Sequence, residues 1–253
     1  MPPHKWRYFA PMIQITSYPI DRNIVEPDVT IVGPLAEVGT LLTGLKPNSE
    51  WPANFRPTAK KTMRERARTG GGGPISPFMI VDSVMEAAPA ISRITLDAGA
   101  HMLPVLHQWT SNEPRQTLIS RGSATMGFAL PAAIASALAE PTRPVIGFTG
   151  DGGLMMCAGE LGTAVQYRCR LVLVVFNDET LTLIGARQRR RQLPNAGVDF
   201  SPADFSKVAE GFGCMGIRVE RPEQLKPAMQ RAFAPQVPSS STSWSTPPPI
   251  TSS

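Results

Sequence analysis

Apolar positions in the middle of the chain fall into short runs rich in β-branched residues, separated by longer amphipathic stretches. Between residues 75 and 234, strand-like runs at Arg93–Leu96, Pro144–Thr149, Leu171–Phe176 and Gly216–Val219 alternate with helix-like stretches. These stretches are Phe78–Glu86, the alanine-rich Leu130–Ala139, Gly159–Tyr167, Asp204–Gly211 and Glu223–Phe233. Short apolar strands alternating with helices predict an α/β fold, a doubly wound parallel sheet with helices on both faces. Ligands of such sheets bind beyond the carboxyl ends of the strands, so the residues that follow each strand are the ones to inspect for chemistry.

The flanks read differently. Met12–Ile15, Val29–Gly33 and Leu35–Leu45 predict strand, strand and helix, a set too small to hold a core of its own. Residues 46–74 are rich in Pro, Lys, Arg and Gly and end in four consecutive glycines and a proline, the composition of a linker. Residues 235–253 are Ser-, Thr- and Pro-rich and are expected to stay disordered. The predicted organisation is therefore an incomplete α/β remnant over 1–45, a linker over 46–74, the sheet domain over 75–234 and a tail over 235–253.

Composition narrows the function classes. No run approaches the ~18 apolar residues of a membrane helix, and Met1–Phe9 is polar and broken by proline, unlike an export signal, so no membrane association and a cytoplasmic location are expected. Cys157, Cys169 and Cys214 lie far apart, and His4, His101 and His107 show no ligand spacing, so zinc is not indicated and inert thiols are expected. The net charge is +5. Its obvious basic stretches, residues 60–68 and 187–191, read as a solvated linker and a solvated helix end, and neither lies in a nucleic-acid-binding motif. The sign suits an anionic substrate or cofactor.

One strand end stands out. Val145-Ile-Gly-Phe-Thr-Gly150-Asp151-Gly152-Gly153 runs an apolar strand into a glycine-flanked aspartate. The glycines let a ligand approach the backbone closely and leave their N–H groups unhindered. The aspartate offers a hard oxygen to Mg²⁺. A helix starting near Gly159 could present its amide end to an anion. Alone, the motif could equally be a plain turn. A second apolar strand, Leu171–Phe176, ends in Asn177-Asp178-Glu179-Thr180, placing Asp178 27 positions after Asp151 with one helix and one strand between. One crossover of that size brings both strand ends to the same edge of the sheet. Two oxygen ligands beside a glycine-rich turn make a site for a magnesium diphosphate.

The stretch from Gly150-Asp151-Gly152 to Asn177-Asp178 resembles the cofactor-binding motif of thiamine-diphosphate-dependent enzymes, in particular the acetolactate-synthase-like branch. The resemblance implies thiamine diphosphate and Mg²⁺ as cofactors, with Asp151, Asp178 and the carbonyl of Thr180 as metal ligands and Gly150, Gly152 and Gly153 in the turn around the diphosphate. Asp178 stands where the family often has a second asparagine, which keeps a ligand oxygen but adds negative charge. Upstream, Ser120–Ile134 is similar to the family segment that holds the aminopyrimidine. By that likeness Met126 would be the apolar wedge under the bent cofactor, and the carbonyl of Ala124 would accept from its amino group. Asp97-Ala-Gly99-Ala100-His101 resembles the first diphosphate-contacting loop, with Ala98, Gly99, Ala100 and His101 as candidates. Leu183–Arg191 resembles the segment over the substrate side, and Asp21–Gly33 the end of the family's middle domain.

In the resembled family a glutamate that starts the chemistry lies on a separate pyrimidine-binding domain, contributed by a neighbouring subunit. No acidic residue here takes that role by motif, so no catalytic residue is assigned. A truncated form inactive alone, acting in its complete form on 2-oxo acids by decarboxylation with carboligation, is the leading expectation. A decarboxylase acting on an oxalyl-type or aryl substrate, and a split or non-catalytic subunit needing a partner that supplies the missing domain, remain as alternatives. A homo-oligomer or such a partner subunit is expected, and no nucleic acid.

Overall fold

The computed structural model describes residues 11–19, 26–44, 54–55, 58–59, 61–62, 65 and 75–234. The predicted tail and most of the predicted linker lie outside the described residues. The chain divides into two compact units, residues 1–56 and 57–253. In the first, β1 (Ile13–Thr16) pairs in parallel with β2 (Val29–Val32), and α1 (Leu35–Thr43) follows. These are the elements that its apolar pattern predicts. The carboxylate of Asp28 accepts from Met12 N–H at 2.7 Å and ties the start of one strand to the other.

The second unit holds α2 (Pro77–Ala87), β3 (Arg93–Leu96), α3 (Met102–Gln108), β4 (Thr117–Ile119), α4 (Ala129–Ala139), β5 (Val145–Gly150), α5 (Asp151–Cys157), α6 (Glu160–Gln166) and β6 (Leu171–Phe176). It continues with α7 (Thr182–Arg190), α8 (Phe205–Gly211), one turn of 3₁₀ helix (Pro222–Gln224) and α9 (Leu225–Ala232). Its sheet is parallel throughout, in the order β4-β3-β5-β6. The predicted doubly wound α/β fold is thus the observed one.

Side chains alternate across these strands and feed two cores. Ile146, Phe148, Val174 and Phe176 point to one face, where they pack with Ile94, Leu96, Val81 and Val84 of α2, Val105 of α3, and Ala228 and Met229 of α9. Leu171, Leu173 and Val175 point to the other face, against Leu130 and Ile134 of α4, Leu154 of α5 and Leu161 of α6. The alanines of α4 have a physical purpose. Ala133 is fully buried and Ala137 nearly so, against Val145. Below them β5 carries Gly147, where an added Cβ would stand 2.7 Å from Leu173 Cδ1. A small-residue helix over a bare strand lets the two backbones approach, and Thr95 Oγ1 donates to the Ala129 carbonyl across that gap at 2.7 Å.

The chain leaves β3 toward β4 on one side and returns past it to β5 on the other. The strand order reverses between β3 and β5, the topological switch point at which ligands of open α/β sheets bind.

The structure corrects several element predictions. Gly216–Val219 forms no strand. Ile217 and Val219 pack half-buried on the first core without joining the ladder, so the apolar run is satisfied by side-chain burial alone. Gly216 lies against α8, where a Cβ would stand 2.2 Å from the Ser206 carbonyl oxygen. Gly216→Ala is expected to cost about 2 kcal/mol by overpacking, seen as a lower urea midpoint with an unchanged slope. The pattern predicts no element at β4, α3 or α5, and of α7 only its basic end, read as a solvated helix end at 187–191. The helix expected near Gly159 is preceded by α5, which begins at Asp151 itself. Among the described residues no helix is long and apolar enough to cross a membrane.

A candidate cofactor site at the carboxyl edge of the sheet

At the switch point, the loops after β3, β5 and β6 and the loop before α4 surround a cavity of about 200 Å³. Every residue that the sequence singles out lines it: Gly99, Ala100 and His101 after β3; Ala124 and Met126 before α4; Gly150, Asp151, Gly152 and Gly153 after β5; Asp178 and Thr180 after β6. Ala98 lines it as well, and Leu181, Leu183 and Ile184 of the α7 segment close the remaining wall.

Asp151 is 3% exposed. Its Oδ1 accepts from Gly152 N–H at 2.6 Å, and its Oδ2 accepts from the N–H groups of Asp178 (3.0 Å) and Glu179 (2.7 Å). These bonds weld the β5 turn to the β6 turn. Three donors occupy three of about four lone-pair positions of a carboxylate, leaving one for a cation. Burial pushes the Asp151 carboxyl above its ordinary pKa; the three N–H groups pull the other way, and the neighbouring Asp178 charge adds to the rise. A cation beside the pair would relieve both burial and repulsion. Among the described residues no three His, Cys, Asp or Glu side chains cluster in a way that could hold a metal. A cation at this edge would therefore need backbone and ligand oxygens, which is how Mg²⁺ is commonly held at phosphate sites.

Asp178 projects from the exposed β6 end, and its carboxylate accepts from the Thr182 hydroxyl at the start of α7. Glu179 is in the left-handed region at φ 60°. An antiparallel bridge then pairs Thr180 with Asp199. Its backbone bonds run from Leu181 N–H to the Val198 carbonyl (2.8 Å) and from Phe200 N–H to the Glu179 carbonyl (3.1 Å). The bridge bonds flank Thr180, so its own peptide groups take no part in them. Its hydroxyl donates to Asp199 at 2.8 Å.

His101 is 8% exposed, stacks on Phe176 with centroids 5.5 Å apart, and leaves a buried Nε2 with no hydrogen-bond partner. Burial lowers its pKa, while Asp97 and Asp178 oppose the shift. Gly99 and Gly150 make room for the ring. A Cβ on Gly99 would stand 2.6 Å from His101 Cε1, and one on Gly150 would stand 3.2 Å from His101 Nδ1. Gly152 lies under an apolar roof, its missing Cβ 2.7 Å from Leu181 Cδ2 and 3.2 Å from Met126 Cε. The glycines of the turn are thus places where a side chain would fill space that neighbours or a ligand occupy.

Asp97, the first residue after β3, was not assigned a role from sequence, yet it is fully buried. It accepts from Gly127 N–H (3.0 Å), Ala129 N–H (2.5 Å) and Thr149 Oγ1 (2.6 Å). The signal available is a lone carboxylate at a strand end within an apolar context, overshadowed by the Gly99–His101 loop that follows it. The arginines at 187–190 close α7, where positive charge meets the carbonyl end of a helix, and they are largely exposed.

Cys157 donates to the Gly153 carbonyl at 3.4 Å, and burial pushes its thiol up to about 11. At pH 8 it is expected to alkylate with iodoacetamide about a hundredfold more slowly than a free cysteine, measured by mass spectrometry of the labelled chain. Rapid labelling would contradict the burial.

A parallel sheet with its cavity at the switch point, walled by glycine-rich turns and paired carboxylates, defines an α/β ligand-binding domain. The family model for the thiamine pyrophosphate enzyme C-terminal TPP binding domain matches residues 97–240. The chain therefore belongs to the thiamine-pyrophosphate-dependent enzyme family, and several of the proteins it resembles are named acetolactate synthases. It is 36% identical to the acetolactate synthase of Bacillus subtilis over 62% of this chain and 28% of that protein. It is 30% identical to the catabolic acetolactate synthase of Raoultella terrigena over 84% of this chain and 39% of that protein. It is 31% identical to a probable acetolactate synthase large subunit of Methanocaldococcus jannaschii over 90% and 41%. The chain thus spans 28–41% of the length of these relatives. Benzoylformate decarboxylase from Polynucleobacter necessarius shares the fold, with a TM-score of 0.59 and 24% identity over 63% of this chain and 31% of that one.

Proposed function

We propose that the cavity binds thiamine diphosphate with Mg²⁺ as one part of an acetolactate-synthase-like enzyme acting on 2-oxo acids. The observation that carries this is Asp151: a buried carboxylate, tied by its hydrogen bonds to the Asp178 turn, with one lone-pair position open beside a second carboxylate. Asp151, Asp178 and the Thr180 carbonyl would hold the cation. Gly99, Ala100, the unsatisfied His101 ring and the Gly150–Gly153 turn would hold the diphosphate. Ala124, left-handed at φ 48°, and Met126 would face the ring system.

When bound, the cofactor would supply an electron sink for the negative charge that develops at the former carbonyl carbon of a 2-oxo acid as its carboxylate leaves as carbon dioxide. The chain's own residues bind and orient. The carboxylates neutralise the cation, the glycine turns admit the phosphates, and Met126 with Leu181 keeps water from the apolar side. Asp151 and Asp178 are the only acidic side chains lining the cavity among the described residues, and both are committed to the cation. Proton transfer at the cofactor ring would then need a group from a pyrimidine-binding domain supplied by a partner subunit. The overall reaction would be decarboxylation with carboligation, as a transferase or lyase, and a cytoplasmic location belongs to the same reading.

Thermal unfolding tests this. Mg²⁺ and thiamine diphosphate at about 100-fold over Kd should add about 2.7 kcal/mol, a rise of roughly 5–10 °C. Thiamine with Mg²⁺ should leave Tm unchanged, and the chain alone should release no carbon dioxide from pyruvate. An equal shift with thiamine, or none with the diphosphate, would overturn the reading.

A further inference from the structure

Two turns that would face opposite ends of the same ligand share one buried carboxylate. Asp97 is 0% exposed, and its three partners come from two separate segments. Gly127 N–H belongs to the loop that carries Ala124 and Met126, and Ala129 N–H to the first residue of α4, directly after it. Thr149 Oγ1 belongs to the end of β5, two residues before Asp151. The missing Cβ of Gly153 would stand 2.3 Å from Asp97 Oδ2, so the carboxylate is wedged against the turn itself. A further bond, from Ala98 N–H to the Thr125 carbonyl at 3.3 Å, follows the same path. Gly127 is left-handed at φ 72°, a conformation open to glycine without strain.

We propose that Asp97 is a positioning residue: its carboxylate fixes the Ala124–Met126 loop relative to the Gly150–Gly153 turn, and thereby sets the pocket's preference for a diphosphate that carries a ring system over a bare one. The proposal rests on the pocket being a thiamine diphosphate site. The carboxylate is an acceptor at both oxygens, which is what three converging donors require. An asparagine has the same shape but one acceptor. With its oxygen in the Oδ2 position it keeps Gly127 and Thr149 and turns its NH₂ toward the Ala129 N–H. With its oxygen in the Oδ1 position it keeps Ala129 and turns its NH₂ toward the Gly127 N–H. Either way one of these amides faces a donor, while the β5 turn keeps its bonds to Asp178 and Glu179. The consequence falls on the ring end of the site and spares the diphosphate end.

The test is calorimetry on the full chain, with Mg²⁺ present, comparing thiamine diphosphate with inorganic pyrophosphate. Asp97→Asn is expected to weaken thiamine diphosphate about tenfold, the worth of one charge-assisted hydrogen bond, and to leave pyrophosphate within about twofold. Thr149→Val should shift the ratio in the same direction, and Thr149→Ser, which restores the hydroxyl, should return it to the wild-type value. Equal weakening of both ligands, or of neither, overturns the positioning role. Hydrogen exchange on the ligand-free protein separates the two possible failures. Gly127 and Ala129 amides that stay protected in Asp97→Asn overturn the clamp. A loosened loop in a protein whose wild type binds neither ligand overturns the reading of the pocket, and the ring preference with it.

Discussion

Asp151→Asn is expected to lower the affinity for Mg²⁺–thiamine diphosphate about 100-fold, or about 2.7 kcal/mol, while leaving the fold intact. The separation of these effects follows from the hydrogen bonds. An asparagine oxygen in the Oδ2 position keeps the donors from Asp178 and Glu179, which join the β5 and β6 turns. What is lost is the Oδ1 acceptor of the adjacent Gly152 N–H, and the charge. The first is a local bond within one turn. The second is the negative oxygen that a hard cation requires. Calorimetry measures the affinity and far-UV circular dichroism the fold. An Asp151→Asn protein that binds as tightly as wild type would remove the carboxylate from the site.

Gly153→Ala is expected to destabilise the second unit by about 3 kcal/mol, at the upper end of overpacking costs, with a fall in Tm of roughly 10 °C. The new methyl group would stand 2.3 Å from Asp97 Oδ2 and 2.7 Å from Thr149 Oγ1. Both atoms are buried and bonded to each other, so neither can turn aside cheaply. The same substitution at Gly159, with nothing within 4 Å of its added Cβ, should be tolerated. Denaturant unfolding of the two variants checks the contrast; equal stabilities would show that the Asp97 region yields to pressure.

β6 is legible as an unbroken apolar run and β5 nearly so, as strands with a core on each face are, whereas β3 shows itself by Ile94 and Leu96 around a β-branched Thr95. The three-residue β4 offers too few positions for any period to show. Gly216–Val219 misled for the opposite reason: its apolar side chains are buried without a ladder, and a hydrophobic pattern records burial rather than backbone pairing. Helix α5 was hidden by the glycines that open it, which read as a turn although Asp151, Gly152 and Gly153 all lie within its first turn. At the site, Asp151 and Asp178 were visible as carboxylates one crossover apart. Asp97 was not, because its importance comes from partners 30, 32 and 52 positions away, which only the folded chain brings together. The Thr180–Asp199 bridge that orients the β6 turn has the same origin.

On the proposed reading, this edge of the sheet holds a magnesium diphosphate whose cation is gripped by Asp151 and Asp178. Titration of the full chain with thiamine diphosphate in a calorimeter, first with Mg²⁺ and then with excess EDTA, tests it most directly. Saturable one-site binding that vanishes with EDTA is the predicted result. Binding of equal strength in both conditions, or heat no different from dilution with Mg²⁺ present, would contradict it.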